Sequence, residues 1–274
     1  KDLALQMLPH MFEEAKKIQN IHKKTVILTA TSGDTGGAAL SGFSMSKDTS
    51  VIVLYPAQGV SEFQARQMNQ FQSERCHIFG VDGNFDDCQT LVKDIFQSVN
   101  HDHILLSSAN SINIGRIIAQ VIYYVSSYLT LKKEGKLKEN QLLDVVVPTG
   151  NFGNIYAAYL SKQLGLPLGD LVVASNKNNV LTDVFKSYTY SVDRLLYQTI
   201  SPSMDIIVSS NLERYFYHQL DDPLKVSTLM QTLQEKRSVD VSFLKHQKDM
   251  YAYYLSEDHT QALIKSFYET YNIL

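Results

Sequence analysis

The stretch that most constrains the fold of this chain covers residues 144–156 and reads DVVVPTGNFGNIY. Its three consecutive valines, residues 145–147, predict a strand buried on both faces, because a half-buried strand alternates apolar with polar side chains. A turn with two glycines follows, and periodic apolar residues predict a helix that begins around Ile155. A strand, a small-residue turn and a helix in this order predict one unit of an α/β sheet.

The turn between this strand and helix is suited to binding an anion. It consists of Gly150, Asn151, Phe152, Gly153 and Asn154. Backbone N–H groups at a helix N-terminus face such a turn, and the helix dipole favours negative charge there. The two glycines would let a phosphate approach the backbone without meeting Cβ atoms. For the turn taken alone, an ordinary tight connection is the alternative interpretation.

A second unit of the same kind lies near the start of the chain. Residues 25–28 (TVIL) predict a strand, which leads into the polar glycine turn TATSGDTGG and then a helix over residues 38–45. Alternating strands and helices predict βαβ units around a parallel sheet, so we expect an α/β fold. The other predicted strands cover residues 51–54, 76–81 and 171–174, and the other helices lie at 62–71, from 85 onwards, 212–220, 229–233 and 261–271.

A polar block over residues 107–116, SSANSINIGR, precedes a long predicted helix. Helical spacing predicts that one apolar stripe of this helix is buried, and its members are Ile117, Ile118, Val121, Ile122, Val125 and Leu129. Because βα units lie on either side of the block, we expect two domains with parallel twisted sheets. Residues 1–107 would form a smaller α/β domain, and residues 108–274 part of a larger one.

Composition excludes several classes of function. The chain has 274 residues and a net charge of −3, without a basic block interleaved with aromatic residues, so nucleic acid is not an expected partner. No apolar run approaches the roughly 20 residues of a membrane span. The sequence has neither a P-loop, a GxSxG elbow nor an HExxH motif, and its two cysteines lack CxxC spacing, so we expect no metal. We expect a soluble, cytoplasmic protein.

Six motifs taken together carry a resemblance to a known family. KDLALQ, TATSGDTGGAA, ANSINIGRIIAQ, VPTGNFGNIYAA, SNKNN and SPSMDI occur in this order. The set resembles bacterial-type threonine synthase, a pyridoxal 5'-phosphate enzyme of fold type II with a tryptophan synthase β-like fold. The resemblance implies conversion of O-phospho-L-homoserine and water to L-threonine and phosphate, the last step of threonine biosynthesis. It also implies an N-terminal domain and a C-terminal part, so we expect this chain to be a segment of a longer protein.

The resemblance implies cofactor contacts at particular residues of this chain. Lys1 matches the lysine that forms the Schiff base with the cofactor and then serves as the catalytic base. The turn from Gly150 to Asn154 would hold the cofactor phosphate. Asp34 would lie at the cofactor, although it replaces an amide found in many relatives and has no assigned contact with the pyridine ring.

The substrate would need two further anion contacts. The resemblance implies that Ser32, Gly33 and Thr35 receive the substrate carboxylate. The substrate phosphate would be bound by Arg116 together with residues just before it, namely Asn110, Ser111 and Asn113. An arginine offers a fork of donors and a fixed positive charge. The alternative interpretation of Arg116 is a surface arginine early in a helix.

Two other functions remain open at this point. A threonine-synthase-like phospholyase would use the same cofactor but release phosphate and a 2-keto acid. A non-catalytic fragment would bind a phosphorylated ligand without turnover. The sequence specifies neither the oligomeric state nor the partner of the pyridine nitrogen.

Overall fold

The computed structural model describes residues 1–31, 33–46, 48–98 and 102–272. The helices in that part of the chain are α1 (Asp2–Ile18), α2 (Asp34–Phe43), α3 (Glu62–Asn69), α4 (Phe85–Ser98), α5 (Ile114–Lys133), α6 (Gly153–Gln163), α7 (Val180–Lys186), α8 (Leu212–Leu220), α9 (Pro223–Lys236) and α10 (Glu257–Tyr271). The strands are β1 (Lys24–Ala30), β2 (Thr49–Pro56), β3 (Cys76–Val81), β4 (Ile104–Ser107), β5 (Leu143–Pro148), β6 (Leu168–Ser175), β7 (Thr189–Ser191), β8 (Ser238–Asp240) and β9 (Met250–Tyr254).

The chain divides into two compact units, residues 1–120 and residues 121–274. The division falls within α5. The domain border predicted from the sequence, between residues 107 and 108, stays a prediction.

The first unit contains a four-stranded sheet in the order β3-β2-β1-β4, in which every pair is parallel. Both faces of this sheet are covered, as a parallel sheet requires. One face packs Ile27, Val51 and Val53 against apolar residues of α1 and α2, among them Leu5 and Phe43. The other face carries a smaller cluster that α4 covers through Cys88 and Val92. The predicted α/β class with a parallel sheet is confirmed.

The order of these strands creates a topological switch point beside β1. The chain runs from β1 outward to β2 and β3, then crosses to the opposite side of β1 as β4. Because β1 and β4 are parallel neighbours, the loops that follow them begin at the same edge of the sheet. In open α/β sheets, the crevice at the carboxyl ends of such strands is the usual place for a ligand.

The second unit contains a parallel three-stranded sheet, β5-β6-β9, and an antiparallel pair, β7 and β8. β5 leads directly into the glycine turn and α6, in the order predicted from the sequence. The carboxyl ends of β5 and β6 lie side by side, because Pro148 pairs with Ala174 in register. The turn after β5 and the loop after β6 therefore begin at the same edge of the sheet.

Two predictions of burial are wrong. Val146 is 65% exposed, because the side chains of β5 alternate between two faces of the sheet and other described residues cover only the face that holds Val147. In α5, Ile117 is buried as predicted, but the other side of the predicted stripe is open, with Ile118 48% and Leu129 57% exposed. Tyr124 and Tyr128 are the buried residues further along that helix. Periodicity located an apolar face of α5, but other residues of the described chain do not cover it.

Candidate functional site

In the first unit, the amine of Lys1 lies at the N-terminus of α2. Its Nζ is 3.1 Å from the Oδ2 atom of Asp34, the first residue of that helix. Gln64 on α3 donates its side-chain amide to the other carboxylate oxygen, Oδ1, over 2.9 Å. The structure thus brings two predicted site residues together, and it adds Gln64, which the sequence analysis missed.

The loop between β1 and α2 is held by the side chain of Thr31. Its Oγ1 accepts hydrogen bonds from the backbone N–H groups of Gly33, at 3.0 Å, and Gly36, at 2.9 Å. Gly33 has a φ of +133°, which side-chain-bearing residues rarely adopt, and it directly precedes the helix. Thr35 lies half-buried in the first turn of α2, and Ser32 lies outside the described residues. Thr31 therefore fixes the backbone of Gly33 and Gly36 at the N-terminus of α2.

Asp34 provides a prediction of pH dependence. The hydrogen bond from Lys1 lowers the pKa of the Asp34 carboxyl below its ordinary 3.8, and the bond from Gln64 acts in the same direction. A carboxyl with a lowered pKa stabilises the fold above its ordinary pKa, and this contribution is lost as the pH falls through the lowered value. Because Asp34 is 54% exposed, solvent screens the pair, and we expect about 0.5 kcal/mol or less.

Urea unfolding at pH 7 and at pH 2 measures this contribution. Asp34→Asn should reduce the unfolding free energy slightly at pH 7 and leave it unchanged at pH 2. A larger effect at pH 2 than at pH 7 would contradict the assignment.

The loop between β4 and α5 is tied to the end of β1 by Asn110. Its side chain accepts from the Ala30 N–H over 3.2 Å and donates to the Ala30 carbonyl oxygen over 2.7 Å. Asn113 closes the loop locally, because its amide donates to the Ser108 carbonyl and accepts from the Gly115 N–H. These two residues, predicted to contact the substrate, therefore fix the loop beside the carboxyl end of β1. Ser111 is half-buried in the same loop.

Arg116 lies in the first turn of α5 and is only 6% exposed. Its Nη1 donates to the carbonyl oxygen of Ala109 over 3.0 Å. The alternative interpretation as a surface arginine is therefore wrong. Its role toward a substrate phosphate stays a prediction.

In the second unit, the glycine turn forms the N-terminus of α6. Phe152 occupies the N-cap position with a left-handed φ of 62°, and its side chain makes no cap hydrogen bond. The phenyl ring is buried and stacks on Phe185 at 6.0 Å between centroids. The first N–H groups of an α-helix have no acceptor within the helix. An anion could therefore supply the acceptors that the N-cap side chain does not.

The carbonyl groups of the turn are held by the segment before α8. The Gly150 oxygen accepts from the Ser209 hydroxyl over 2.8 Å. The Asn151 oxygen accepts from the backbone N–H of Asn211 at 3.1 Å and from its side-chain amide at 2.9 Å. In a trans peptide the N–H points opposite to the C=O of the same plane. The N–H groups of Asn151 and Phe152 consequently point away from this segment, on the side where an anion would bind.

Asn154 is fixed by Tyr124 of α5. The tyrosine hydroxyl donates to the Asn154 side-chain oxygen over 2.7 Å and also lies 3.1 Å from its backbone carbonyl. Burial raises the pKa of the Tyr124 hydroxyl well above its ordinary value, so it stays protonated and remains a donor at neutral pH. The Asn154 side chain therefore has a set orientation at the start of α6.

The sequence analysis missed the residues that hold this turn. Ser209 and Asn211 lie about 60 positions away in the chain. The polar run Ser209-Ser210-Asn211 before the predicted helix 212–220 was the available signal, since such residues commonly cap helices. Tyr124 and Gln64 gave no signal beyond being polar residues on amphipathic helices.

The described residues include no group of three or more histidine, cysteine, aspartate or glutamate side chains arranged to hold a metal ion. In the same part of the chain, no helix is both long and apolar enough to cross a membrane.

No family model matches the chain. Threonine synthase-like 1 from Pongo abelii is 41% identical over 287 aligned positions, which cover 98% of this chain and 38% of that protein. Threonine synthase from Saccharomyces cerevisiae is 36% identical, and the alignment covers 98% of this chain and 56% of that protein. Among solved structures, pyridoxal-phosphate-bound threonine synthase from Brucella melitensis matches 99% of this chain and 58% of its own, with a TM-score of 0.86 at 36% identity. The chain thus spans about two fifths to three fifths of the length of these relatives.

Proposed function

The chain belongs to the threonine synthase family of fold type II enzymes, and from that premise we propose that its protein is a pyridoxal-phosphate-dependent lyase acting on a phosphorylated amino acid. The finer proposal is that O-phospho-L-homoserine and water are converted to L-threonine and phosphate. The observation that carries the proposed use of pyridoxal phosphate is the turn at α6, whose carbonyls are held on one side and whose N–H groups point to the other.

The residues of the turn fit the phosphate of pyridoxal phosphate. Asn151 and Phe152 present N–H groups from fixed peptide planes. Gly153 is the first residue of α6, and the helix dipole favours an anion at this end. The Asn154 side chain adds an amide that Tyr124 orients. We infer that these residues hold the cofactor through its phosphate.

Lys1 would bind the cofactor covalently and then move protons. Its amine is partly accessible and forms an ion pair with Asp34. Bound pyridoxal phosphate would supply an electron sink for the negative charge that develops at the substrate Cα. A released Lys1 amine would take the proton from Cα and deliver protons at neighbouring carbons.

The proposed reaction has a simple balance. One proton leaves Cα and one leaves Cβ, and the Cγ–O bond breaks with its electron pair on the phosphate oxygen. Water then adds its hydroxyl at Cβ and loses a proton. The three protons go to Cγ, to Cα and to the released phosphate. The chain must therefore bind a second phosphate, that of the substrate. Arg116, with Asn110 and Asn113 shaping the loop before it, is the proposed partner of that group.

A phospholyase is the second candidate. Relatives named threonine synthase-like 1 are 40–41% identical over 98% of this chain, and the threonine synthase of Schizosaccharomyces pombe is 42% identical over 80% of it, so sequence identity does not separate the two groups. Both candidates use the same cofactor and release phosphate. They differ in whether water adds at Cβ or a 2-keto acid leaves.

Arg116 provides a prediction that separates the two phosphate sites. Arg116→Ala should leave pyridoxal phosphate affinity nearly unchanged and lower kcat/KM for O-phospho-L-homoserine about 10- to 150-fold, the scale of a charge-assisted contact. Arg116→Lys should recover part of the loss, because it restores the charge without the fork. Steady-state kinetics and cofactor titration measure both effects.

The control for this prediction is Arg66→Ala, which removes an exposed arginine paired with Glu62 on α3. It should leave kcat/KM unchanged. Since Arg116 also holds the Ala109 carbonyl, thermal unfolding must be measured in parallel. Loss of cofactor and activity together in Arg116→Ala would assign this arginine to the framework.

The proposed function is tested by the full-length protein with and without pyridoxal phosphate. We expect an absorbance band of the bound cofactor and phosphate release from O-phospho-L-homoserine that depends on added cofactor. Binding of the substrate without release of phosphate under any cofactor condition would support a non-catalytic protein instead.

A further inference from the structure

We propose that Asp205 is a positioning residue for the cofactor phosphate, because it anchors the segment that holds the glycine turn. This inference rests on the proposed function of that turn. The segment covers residues 199–211 and includes the SPSMDI motif. We call it the brace.

The carboxylate of Asp205 collects four hydrogen bonds. Its Oδ1 accepts from the side-chain amides of Asn176, at 2.8 Å, and Asn178, at 2.9 Å, and from the Thr199 hydroxyl at 2.7 Å. Its Oδ2 accepts from the Thr199 backbone N–H at 2.9 Å. Every partner is a donor, so both oxygens of Asp205 act as acceptors in this network, which an amide nitrogen could not do.

The two asparagines connect the brace to the end of β6. Both are buried and follow that strand directly, in the SNKNN motif. Asn178 also pairs with the backbone of Tyr197, donating to its oxygen and accepting from its N–H, each at 2.9 Å. Asn176 donates to the Ser201 hydroxyl at the start of the brace. Asp205 therefore lies at the centre of a polar network between a core strand and the brace.

The other side of the brace contacts the turn itself. A Cβ atom built on Gly150 would lie 3.0 Å from the Ser203 carbonyl oxygen and 3.3 Å from the Met204 Cα, so the two backbones pack directly. Further along the brace, Ser209 and Asn211 hold the carbonyl oxygens of Gly150 and Asn151. These contacts set the peptide planes whose N–H groups face the proposed phosphate. Asp205 would act on the phosphate through them, without touching it.

The test uses two ligands that differ only in the phosphate. Dissociation constants of pyridoxal 5'-phosphate and pyridoxal are measured by absorbance for the full-length protein and for Asp205→Asn. Asparagine has nearly the same shape as aspartate, but its N–H₂ group would face a hydrogen-bond donor where Asp205 has an acceptor oxygen. We expect affinity for pyridoxal phosphate to fall about 10- to 100-fold and affinity for pyridoxal to fall less than about 3-fold, the scale of one disrupted buried hydrogen-bond group.

Two substitutions at Thr199 provide a milder test if the Asp205→Asn protein does not fold. Thr199→Val removes the hydroxyl group that donates a hydrogen bond to Asp205, and Thr199→Ser keeps that hydroxyl. The valine variant should lose phosphate-dependent affinity and the serine variant should retain most of it. Asp240→Asn is the matched control, because Asp240 is an exposed carboxylate whose hydrogen bonds come from Ser242 two residues away. It should bind both ligands as the unaltered protein does.

Amide hydrogen exchange shows which part of the structure is destabilised in Asp205→Asn. Amides of residues 150–154 should exchange faster in Asp205→Asn, while those of β6 stay protected. Equal losses for both ligands with general loss of protection would make Asp205 merely structural and overturn the inference. Unchanged affinities would also overturn it while leaving the proposed function intact. An unaltered protein that binds pyridoxal as tightly as pyridoxal phosphate would instead remove the phosphate role of the turn, and with it both proposals.

Discussion

Replacing Lys1 with alanine is expected to abolish turnover while leaving the fold intact. The proposed mechanism gives this one amine the covalent bond to the cofactor and the proton transfers at the substrate carbons. Proton transfer by one positioned group commonly contributes about 100- to 10,000-fold, and Lys1 has a second role besides, so we expect kcat to fall at least about 1,000-fold. Phosphate release from saturating O-phospho-L-homoserine measures the loss.

The fold of Lys1→Ala should survive because α1 is held by apolar contacts. Leu5 and Leu8 are fully buried in the core of the first unit, whereas the Lys1 side chain makes an exposed ion pair. Lys17→Ala is the matched control on the same helix, where the lysine pairs with Glu14 at the surface. It should keep full activity. A Lys1→Ala protein that releases phosphate at the original rate would exclude Lys1 as the catalytic amine.

The second large effect is expected at Gly150. An added Cβ would meet the backbone of Ser203 and Met204 at 3.0 and 3.3 Å, which is tighter than ordinary contact, and backbone atoms cannot rotate away. We expect Gly150→Ala to lower the unfolding free energy by about 1–3 kcal/mol and to weaken pyridoxal phosphate binding as the turn shifts. Gly150→Val should have a larger effect on both, because its branched side chain fills the same space.

Gly153→Ala separates packing from ligand binding. The corresponding Cβ would lie 3.4 Å from the Asn211 amide nitrogen, an ordinary contact, and alanine at the first position of α6 favours the helix. The stability of the cofactor-free protein should therefore be kept or slightly raised. Cofactor affinity should still fall if the phosphate approaches this N–H closely. Unchanged affinity in both glycine variants would reduce the turn to a structural connection.

The elements that could be predicted from the sequence are those whose apolar pattern is complete within one short stretch of the chain. β3 and α8 have the predicted bounds, since each is an apolar pattern between turn residues. β4 and β9 were missed. β4 has only four residues and β9 only five, in which Met250 and Ala252 are buried while Tyr251 and Tyr253 are exposed on the other face. Their places depend on neighbouring strands distant in sequence, which no local window contains.

The errors in α5 and β5 have a related cause. Apolar periodicity identifies the side of an element that can be buried, but another element must be present to bury it. In α5 the covered side follows Ile117 and the two tyrosines, and the predicted stripe past Ile118 is open. In β5 Val146 lies on the face of the sheet that other described residues do not cover. Neither position in the fold is encoded within the element itself.

The candidate site shows the same division between local and distant information. The glycine turn was predicted because a strand, a turn and a helix follow one another directly. The side chains that orient it, from Ser209 and Asn211, come from a segment about 60 residues away. The pairing of Lys1 with Asp34 likewise joins the first residue to a helix start 33 positions later. Motif order indicated that these residues belong to one family pattern, and only the structure gave their contacts.

The central claim is that this protein breaks the Cγ–O bond of O-phospho-L-homoserine and adds water at Cβ. Turnover in ¹⁸O-labelled water, with the products analysed by mass spectrometry, tests it directly. The account predicts L-threonine that carries the label in its hydroxyl group, together with unlabelled phosphate. A 2-keto acid in place of threonine would identify a phospholyase, and label in the released phosphate would mean that the P–O bond is hydrolysed; either result would contradict the account.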